Sequence, residues 1–336
     1  MKFVKRLACR LALAGLAALG PAMPALSQGW VPTQPVELVV PAGTGGGADQ
    51  MARFVQSLVA KHQLMPQPLN VVNRAGNSGA EGLLEVRSAR GNPHKLIITL
   101  SSLFTVPMST GMIFNWRDLT PVSMLALDQF VLWVNAASPY KSANEFTSAM
   151  RTLPHNTLKL GGTGSKQEDQ LIGVLIEAAV GGRVQYVPLK GGGDVANALA
   201  AGQVDFTVNN PIEAEALWRE GRVRPLCVFD GARLDYTAKV AGAQSWNDLP
   251  TCMSQGIATQ YLMLRGIFMA PGNTPEQLAY YVGVLDKVRK LPEWKEFMAK
   301  GAFRQTAMSG AEFATWLDRA ENFHKVLMRE AKLVAR

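Results

Sequence analysis

The chain has 336 residues, 48% hydrophobic and 18% charged, with 34 Lys and Arg against 26 Asp and Glu and a formal net charge of +8. That balance suits one or two packed domains and excludes a low-complexity or disordered chain. No dense Lys/Arg run with interleaved aromatics is present, so no nucleic-acid partner is expected.

Residues 1–27 read as a cleavable secretory signal. Lys2, Lys5, Arg6 and Arg10 precede the short apolar run LALAGLAALG, and Ala25 and Ser27 form a small-x-small exit. The run is too short to span a bilayer, no later segment is long and apolar enough, and no cysteine follows for a lipid anchor, so a periplasmic protein that does not itself span the membrane is expected. Loss of the four cations takes the net charge to +4, with 30 Lys and Arg left against 26 acids. Cys9 leaves with the signal. Cys227 and Cys252 remain, in a compartment that permits disulfides; they form either one staple or two small buried hydrophobes.

Beyond the signal, strands and helices alternate. VELVV (36–40) is a β-branched strand, and residues 49–62 carry apolar side chains at helical spacing. LNVVN (69–73), a helix over 79–89 and KLIITLS (95–101) complete a βαβαβ series, which argues for a largely parallel sheet. FVLWVN (130–135) is a strand, and Ser142-x-x-Glu145 is a capping box opening a helix. LKLGGTGS, VQYVPLKGGGD, VDFTVNN and RPLCVFD are strands separated by helical stretches. In the last third, YLMLRGIFMAP is followed by helices that start at Thr274-Pro-Glu-Gln277 and at Ser309-x-x-Glu312.

Three glycine loops of one type carry the functional signal. GTGGGAD, GGTGSKQED and KGGGD each follow a strand and precede a helix. Strand C-termini in parallel sheets are where ligands sit, and helix N-termini present unpaired N–H groups with partial positive charge. An anion approaching the backbone is therefore expected, and Gly46 and Gly192 should resist a β-branched side chain through close approach and positive φ. Gly43-Thr-Gly45-Gly-Gly-Ala48 also fits a dinucleotide fingerprint, with Arg74 suited to a 2′-phosphate. Pro41 interrupts that motif's entry, and no acidic residue stands at the ribose position.

Enzyme signatures are absent: there is no GxxxxGK[ST] or GxSxG, and Ser138-Pro-Tyr-Lys141 lacks the companion motifs of a serine acyl-enzyme. His62, His94, His155 and His324 lack metal-ligand spacing, so neither metal nor cofactor is expected. Adjacent Glu168 and Asp169 diverge on a helix and favour its positive start. Asn209-Asn210-Pro211 reads equally as a turn or as amides pointing into a cleft.

The mature chain resembles the periplasmic substrate-binding proteins of tripartite tricarboxylate transporters, the Bug family. The resemblance is carried by VVPAGTGGGADQMAR, VVNRAG, WRDLTPVSMLA, VLWVN, GGTGSKQEDQ, VPLKGGGDVANALAAGQVDFTVNN, RPLCVF and RGIFMAPGNTPEQ, in that order. It implies an α/β, two-lobed periplasmic-binding-protein fold, type II-like, each lobe a mostly parallel sheet flanked by helices. Lobe I would be 28–127 plus 263–336 and lobe II the insertion 128–262, with crossings near 125–132 and 260–266 and a ligand cleft between.

The implied function is capture of a small organic carboxylate by a monomer that delivers it to membrane permease subunits. The implied contacts are Gly43, Thr44, Gly45, Gly46, Gly47, Ala48 and Asp49 from the first loop, with Ser101 and Ser102 after the third strand. The second lobe would add Gly162, Thr163, Gly164, Ser165 and Gln167, then Lys190, Gly191 and Gly192, and the Asp205 to Asn209 segment. Two departures from the family pattern matter: Ala42 stands where many relatives have an aromatic, and Asp169 and Gln170 replace a Ser-x-His. A smaller residue at 42, with Lys166 nearby, favours a di- or tricarboxylate; aromatic and amino acids stay open. An exported hydrolase, a ligand-sensing partner of a signalling receptor and a dinucleotide-dependent enzyme are the alternatives.

Overall fold

A computed structural model describes residues 29–335; the expected leader and its cleavage site lie outside them. In chain order the elements are β1 (Val36–Val40), α1 (Gly47–Lys61), β2 (Leu69–Asn73), α2 (Ala80–Ser88), β3 (Lys95–Thr99), α3 (Ser102–Thr110) and β4 (Thr120–Gln129). Then come β5 (Val131–Asn135), α4 (Ala143–Thr152), β6 (Lys159–Thr163), α5 (Glu168–Val180), β7 (Gln185–Leu189), α6 (Gly192–Ala200), β8 (Phe206–Thr207), α7 (Pro211–Arg219) and β9 (Val223–Val228). The ribbon β10 (Lys239–Ala241) and β11 (Gln244–Ser245) precedes β12 (Leu262–Met269), α8 (Pro275–Lys290), α9 (Pro292–Lys300), β13 (Arg304–Gln305) and α10 (Gly310–Glu330).

The strands form a six-stranded sheet, β13-β4-β12-β3-β1-β2, and a five-stranded sheet, β7-β6-β8-β5-β9. Both are mixed. β1 is parallel to β2 and β3, but β12 runs against β3 and β4. In the second sheet β6 is parallel to β7 and β8, while β5 runs against β8 and β9. The reason is the path between sheets. β4 ends and, after Phe130 alone, β5 begins, so β5 starts where its neighbours β8 and β9 end. β12 likewise starts at the junction on the return and runs away from it.

Each sheet is covered on both faces, as near-continuous apolar strands require. Leu38 and Val40 of β1 pack with Met51, Val55, Val284 and Trp294, while Val39 faces Leu83, Phe104, Phe268 and Phe313. In the second sheet Leu132 and Val134 join Phe146, Ile172 and Phe206; Val131 and Trp133 join Trp218 and Trp246. The chain's end does not stay with the first sheet: Met328 and Leu333 enter the second sheet's core.

Capping follows the sequence at two sites and departs at a third. Ser142 accepts from the Glu145 N–H, and Thr274 and Gln277 form a reciprocal box. Ser309 precedes α10 without a side-chain cap bond.

Cys227 and Cys252, both fully buried, are bridged, with Cα atoms 4.9 Å apart. The bridge ties β9 to the segment that also pairs through the Cys252 N–H and the Val228 carbonyl at 2.8 Å. Closing a loop of 25 residues is worth about 3 kcal/mol in the chain-entropy model. The double variant Cys227→Ala/Cys252→Ala should lose roughly that much in urea denaturation; unchanged stability would show that the bridge contributes nothing.

Candidate functional site

The three glycine loops converge between the sheets. In the first, Gly45 takes φ +78°, the left-handed region that favours glycine. Its N–H donates to Asp49 Oδ2 at 2.9 Å and its carbonyl accepts from Gln50 Nε2 at 2.9 Å. Asp49 also accepts from Arg53 Nε and Asn73 Nδ2, each at 3.0 Å. Burial would raise its carboxyl, but these donors hold it below the usual carboxylate range. Asp49 is therefore a brace inside the loop, turned away from the cleft. Gly46 takes φ −74°, and an added Cβ would find its nearest neighbour at an ordinary 3.5 Å. The expected positive φ belongs to Gly45 instead.

In the second loop Gly164 takes φ +59°. Thr163 N–H donates to Asp169 Oδ2 and Lys166 N–H to Gln170 Oε1, both at 2.6 Å. Side chains from the first turn of α5 thus hold the loop that precedes it. Gly162 lies beneath them; a Cβ there would stand 2.5 Å from the Tyr186 hydroxyl and 2.6 Å from Asp169 Cβ. In the third loop Gly191 caps α6 and packs against Gly43, where a Cβ would come within 2.9 Å of the Lys190 carbonyl oxygen.

Glu213, in the first turn of α7, joins the two sides. Its Oε1 accepts from the Gly47 N–H at 2.9 Å, across the cleft. Its Oε2 accepts from Asn209 Nδ2 at 2.9 Å and Asn210 N–H at 3.1 Å. The N-terminus of α1 thus already receives a carboxylate, as its dipole favours. Two further contacts cross the cleft: Gln50 Nε2 donates to the Ile212 carbonyl at 3.4 Å, and Gln167 donates to the Ser78 carbonyl.

Behind this contact lies a buried ion pair. Arg265 Nε and Nη2 donate to Asp128 Oδ2 at 2.9 and 2.5 Å, and Nη2 also reaches Asn210 Oδ1 at 3.2 Å. Burial pushes Asp128 up, to about 7, against the pull of Arg265. Burial also raises Glu168, and raises Asp169 well above its ordinary value.

The cleft encloses ≈ 320 Å³. Of the expected contacts, Gly43, Thr44, Gly46, Gly47, Ala48, Ser102, Thr163, Gly164, Gln167, Lys190 and Gly192 line it. Gly45, Asp49, Ser101, Gly162, Ser165, Gly191 and Asn209 do not. Ser101 is fully buried, Ser165 points to solvent, and Asn209 holds the Gly192 carbonyl at 2.8 Å from behind. Asp205 is remote, accepting from the Lys159 N–H at 2.7 Å. Of the Asn-Asn pair, Asn210 lines the cleft.

Sequence reasoning missed Glu168, Asp169, Glu213 and Arg265 as cleft residues. Two had readable signals. Asn210-Pro-Ile-Glu213 is a capping box, and Arg265 is the lone charge within an apolar strand, a placement rarely tolerated without a partner.

Two sheet-and-helix lobes meeting at a cleft lined by strand ends and helix N-termini define a periplasmic-type solute-binding protein. The chain belongs to the tripartite tricarboxylate transporter receptor family, TctC, whose sequence profile matches residues 51–333. It is 27% identical over 232 residues to protein BugT of Bordetella pertussis (strain Tohama I / ATCC BAA-589 / NCTC 13251), covering 66% of this chain and 67% of that one. Rpa4515 of R. palustris, solved with adipate, superposes with a TM-score of 0.82 at 21% identity, over 90% of this chain and 99% of the other. MatC (Rpa3494) of Rhodopseudomonas palustris, with bound malate, gives 0.75 at 21% identity, over 88% and 99%. The fold is shared with both, and the chain is a solute-binding receptor of a tripartite-type transporter.

Gly192 has space for no side chain: a Cβ would fall 1.9 Å from Glu213 Oε1. Gly192→Ala should therefore drive the Glu213 carboxylate from its three donors and cost about 1–3 kcal/mol in urea denaturation. Gly46→Ala, where a Cβ fits, should stay within about 1 kcal/mol of wild type. The reverse order would refute the placement of Glu213.

Proposed function

We propose that this chain captures a small organic carboxylate in the cleft and delivers it to the membrane subunits of its transporter. It works as an exported monomer with lobes 28–127 plus 263–336 and 128–262. The single observation that carries this reading is the seat at the start of α1, where the Gly47 N–H donates to a carboxylate, that of Glu213. A backbone-amide seat of this kind supplies directed donors to an anion without burying a full counter-charge. Adipate and malate in the two solved relatives are carboxylates of the same size class.

The cleft residues bind and release, and no bond of the ligand is broken. At a ligand concentration of about 100 times Kd, mass action adds roughly 2.7 kcal/mol to the folded form. A panel of di- and tricarboxylates, aromatic acids and amino acids should therefore yield one or a few rises in thermal midpoint of about 5–10 °C. The ligand should be recovered chemically unchanged by mass spectrometry. A shift with NADP and none with carboxylates would overturn the reading in favour of the Gly43–Ala48 fingerprint. Export carries its own check: intact mass of the protein from the native host's periplasm should correspond to a start near Gln28, and a full-length cytoplasmic product would contradict it.

A further inference from the structure

The charges around the cleft do not match a ligand that is only an anion. Glu168, Asp169, Asp194 and Glu213 line it, against Lys190 and Arg265. Arg265 is largely neutralised by Asp128. Glu213 is satisfied by Gly47, Asn209 and Asn210, and Asp169 by the Thr163 N–H. Glu168 is different. It is 6% exposed, its Oε1 has no hydrogen-bond partner, and no Lys or Arg among the described residues forms an ion pair with it or with Asp169. Ser102, which also lines the cleft, carries a buried and unpartnered hydroxyl beside it. At Glu168 burial outweighs the pull of its own N–H, of Arg265 and of the Ser102 N–H on its carboxyl, and a buried carboxylate with no ion-pair partner is costly for a fold to hold.

At the same time Arg265 Nη1 is buried and unpartnered, and the first loop presents its amides. The cleft therefore holds both donors seeking an anion and a carboxylate seeking a cation. Phe130 is the one aromatic lining it, too few for a cage around a quaternary ammonium. Hydroxyls and carboxylates suit instead an ammonium with N–H donors.

We propose that the ligand is a zwitterion, an amino-substituted carboxylic acid, whose ammonium group is held by Glu168 beside Ser102 while its carboxylate lies against the α1 loop and Arg265. This rests on the carboxylate reading above and narrows it: a di- or tricarboxylate fits only if it also carries an amine.

The test is calorimetric titration with paired compounds: aspartate and succinate, glutamate and glutarate, γ-aminobutyrate and butyrate, phenylalanine and 3-phenylpropionate. Propylamine and phenethylamine serve as amines without a carboxylate. In at least one pair the amino acid should bind about tenfold or more tightly than its des-amino partner, as a charge-assisted hydrogen bond supports. Glu168→Gln should bring that preference below about threefold without lowering the melting midpoint of the unliganded protein, since it removes a buried charge.

Proton linkage gives an independent readout. Glu168 faces Asp169, Glu213, Arg265, Tyr186 and Tyr261, and burial raises its carboxyl. An arriving ammonium lowers that value, so protons exchanged by Glu168 on binding should be released and not taken up, seen in the dependence of the heat on buffer ionisation enthalpy. Des-amino acids binding as tightly as amino acids, or proton uptake, would overturn the zwitterion and leave the carboxylate reading standing. Amines binding as tightly as amino acids would overturn the carboxylate reading itself. A panel in which nothing binds would overturn the zwitterion.

Discussion

A carboxylate placed on the N-terminus of a helix organises this molecule. Glu213 Oε1 meets the Gly47 N–H at 2.9 Å, although the two residues stand 166 positions apart. The same side chain takes the Asn210 N–H as the cap of its own helix, and the Asn209 amide from the end of the β8 strand segment. One group therefore fixes the start of α7, the end of the second sheet's central strand and the approach of the first sheet's leading helix. The glycines around it follow from that contact. At Gly192 the Glu213 carboxylate fills the space of a Cβ, and at Gly43 a Cβ would be pressed to 2.9 Å from the Lys190 carbonyl oxygen. Glycine here is chiefly a matter of space; among the three loops the left-handed backbone is needed at Gly45 and Gly164, and Lys166 adopts it without being glycine.

The buried pair behind the cleft has a topological role. Asp128 closes β4 just before the chain leaves the first sheet, and Arg265 lies early in β12 just after it returns. The strands pair, with Asp128 opposite Met263 and Arg265 opposite Ala126. Asn210, from the second lobe, bonds both the Gln129 carbonyl at 2.6 Å and Arg265. The two crossings are thus clamped to each other and to the lobe they serve. A hydrophobic pair of similar volume could be as stable or more so, but it would offer no donor to the cleft. Arg265 Nη1, buried and unpartnered, is the group such a replacement would lose.

Local rules account for what the sequence made legible. The strand–glycine–helix punctuation placed β1, α1, β2, α2 and β3 within about two residues, because apolar period and turn residues are properties of short windows. It also brought eleven of the expected contacts to the cleft, since strand ends in a twisted sheet share one edge. Other features depend on partners far along the chain. α3 was missed because Pro107 sits inside it, which argues against a helix unless packing against Leu83 and Phe313 overrides propensity. The antiparallel course of β5 and β12 follows from the inter-lobe path, which no local window contains. The family resemblance implies Asp49 and Asn209 as ligand contacts, but neither lines the cleft. Their side chains instead turn inward to hold the loops.

Division of labour between backbone and side chains explains how one scaffold can serve many solutes. In the function proposed above, carboxylate recognition falls to peptide N–H groups at the start of α1, and these are present whatever side chains the loop carries. Selectivity must then come from the few side chains that face the same space from elsewhere: Ser102 on α3, Glu168 and Asp169 on α5, Glu213 on α7 and Arg265 on β12. Glu168, Asp169 and Arg265 are charged and buried, and Glu213 is charged and half-buried, so each change among them alters what the cleft must neutralise. Buried polar atoms left without a partner, as Glu168 Oε1 and Arg265 Nη1 are, weaken the unliganded fold. A receptor that must both hold and surrender its cargo needs such groups more than it needs the most stable core.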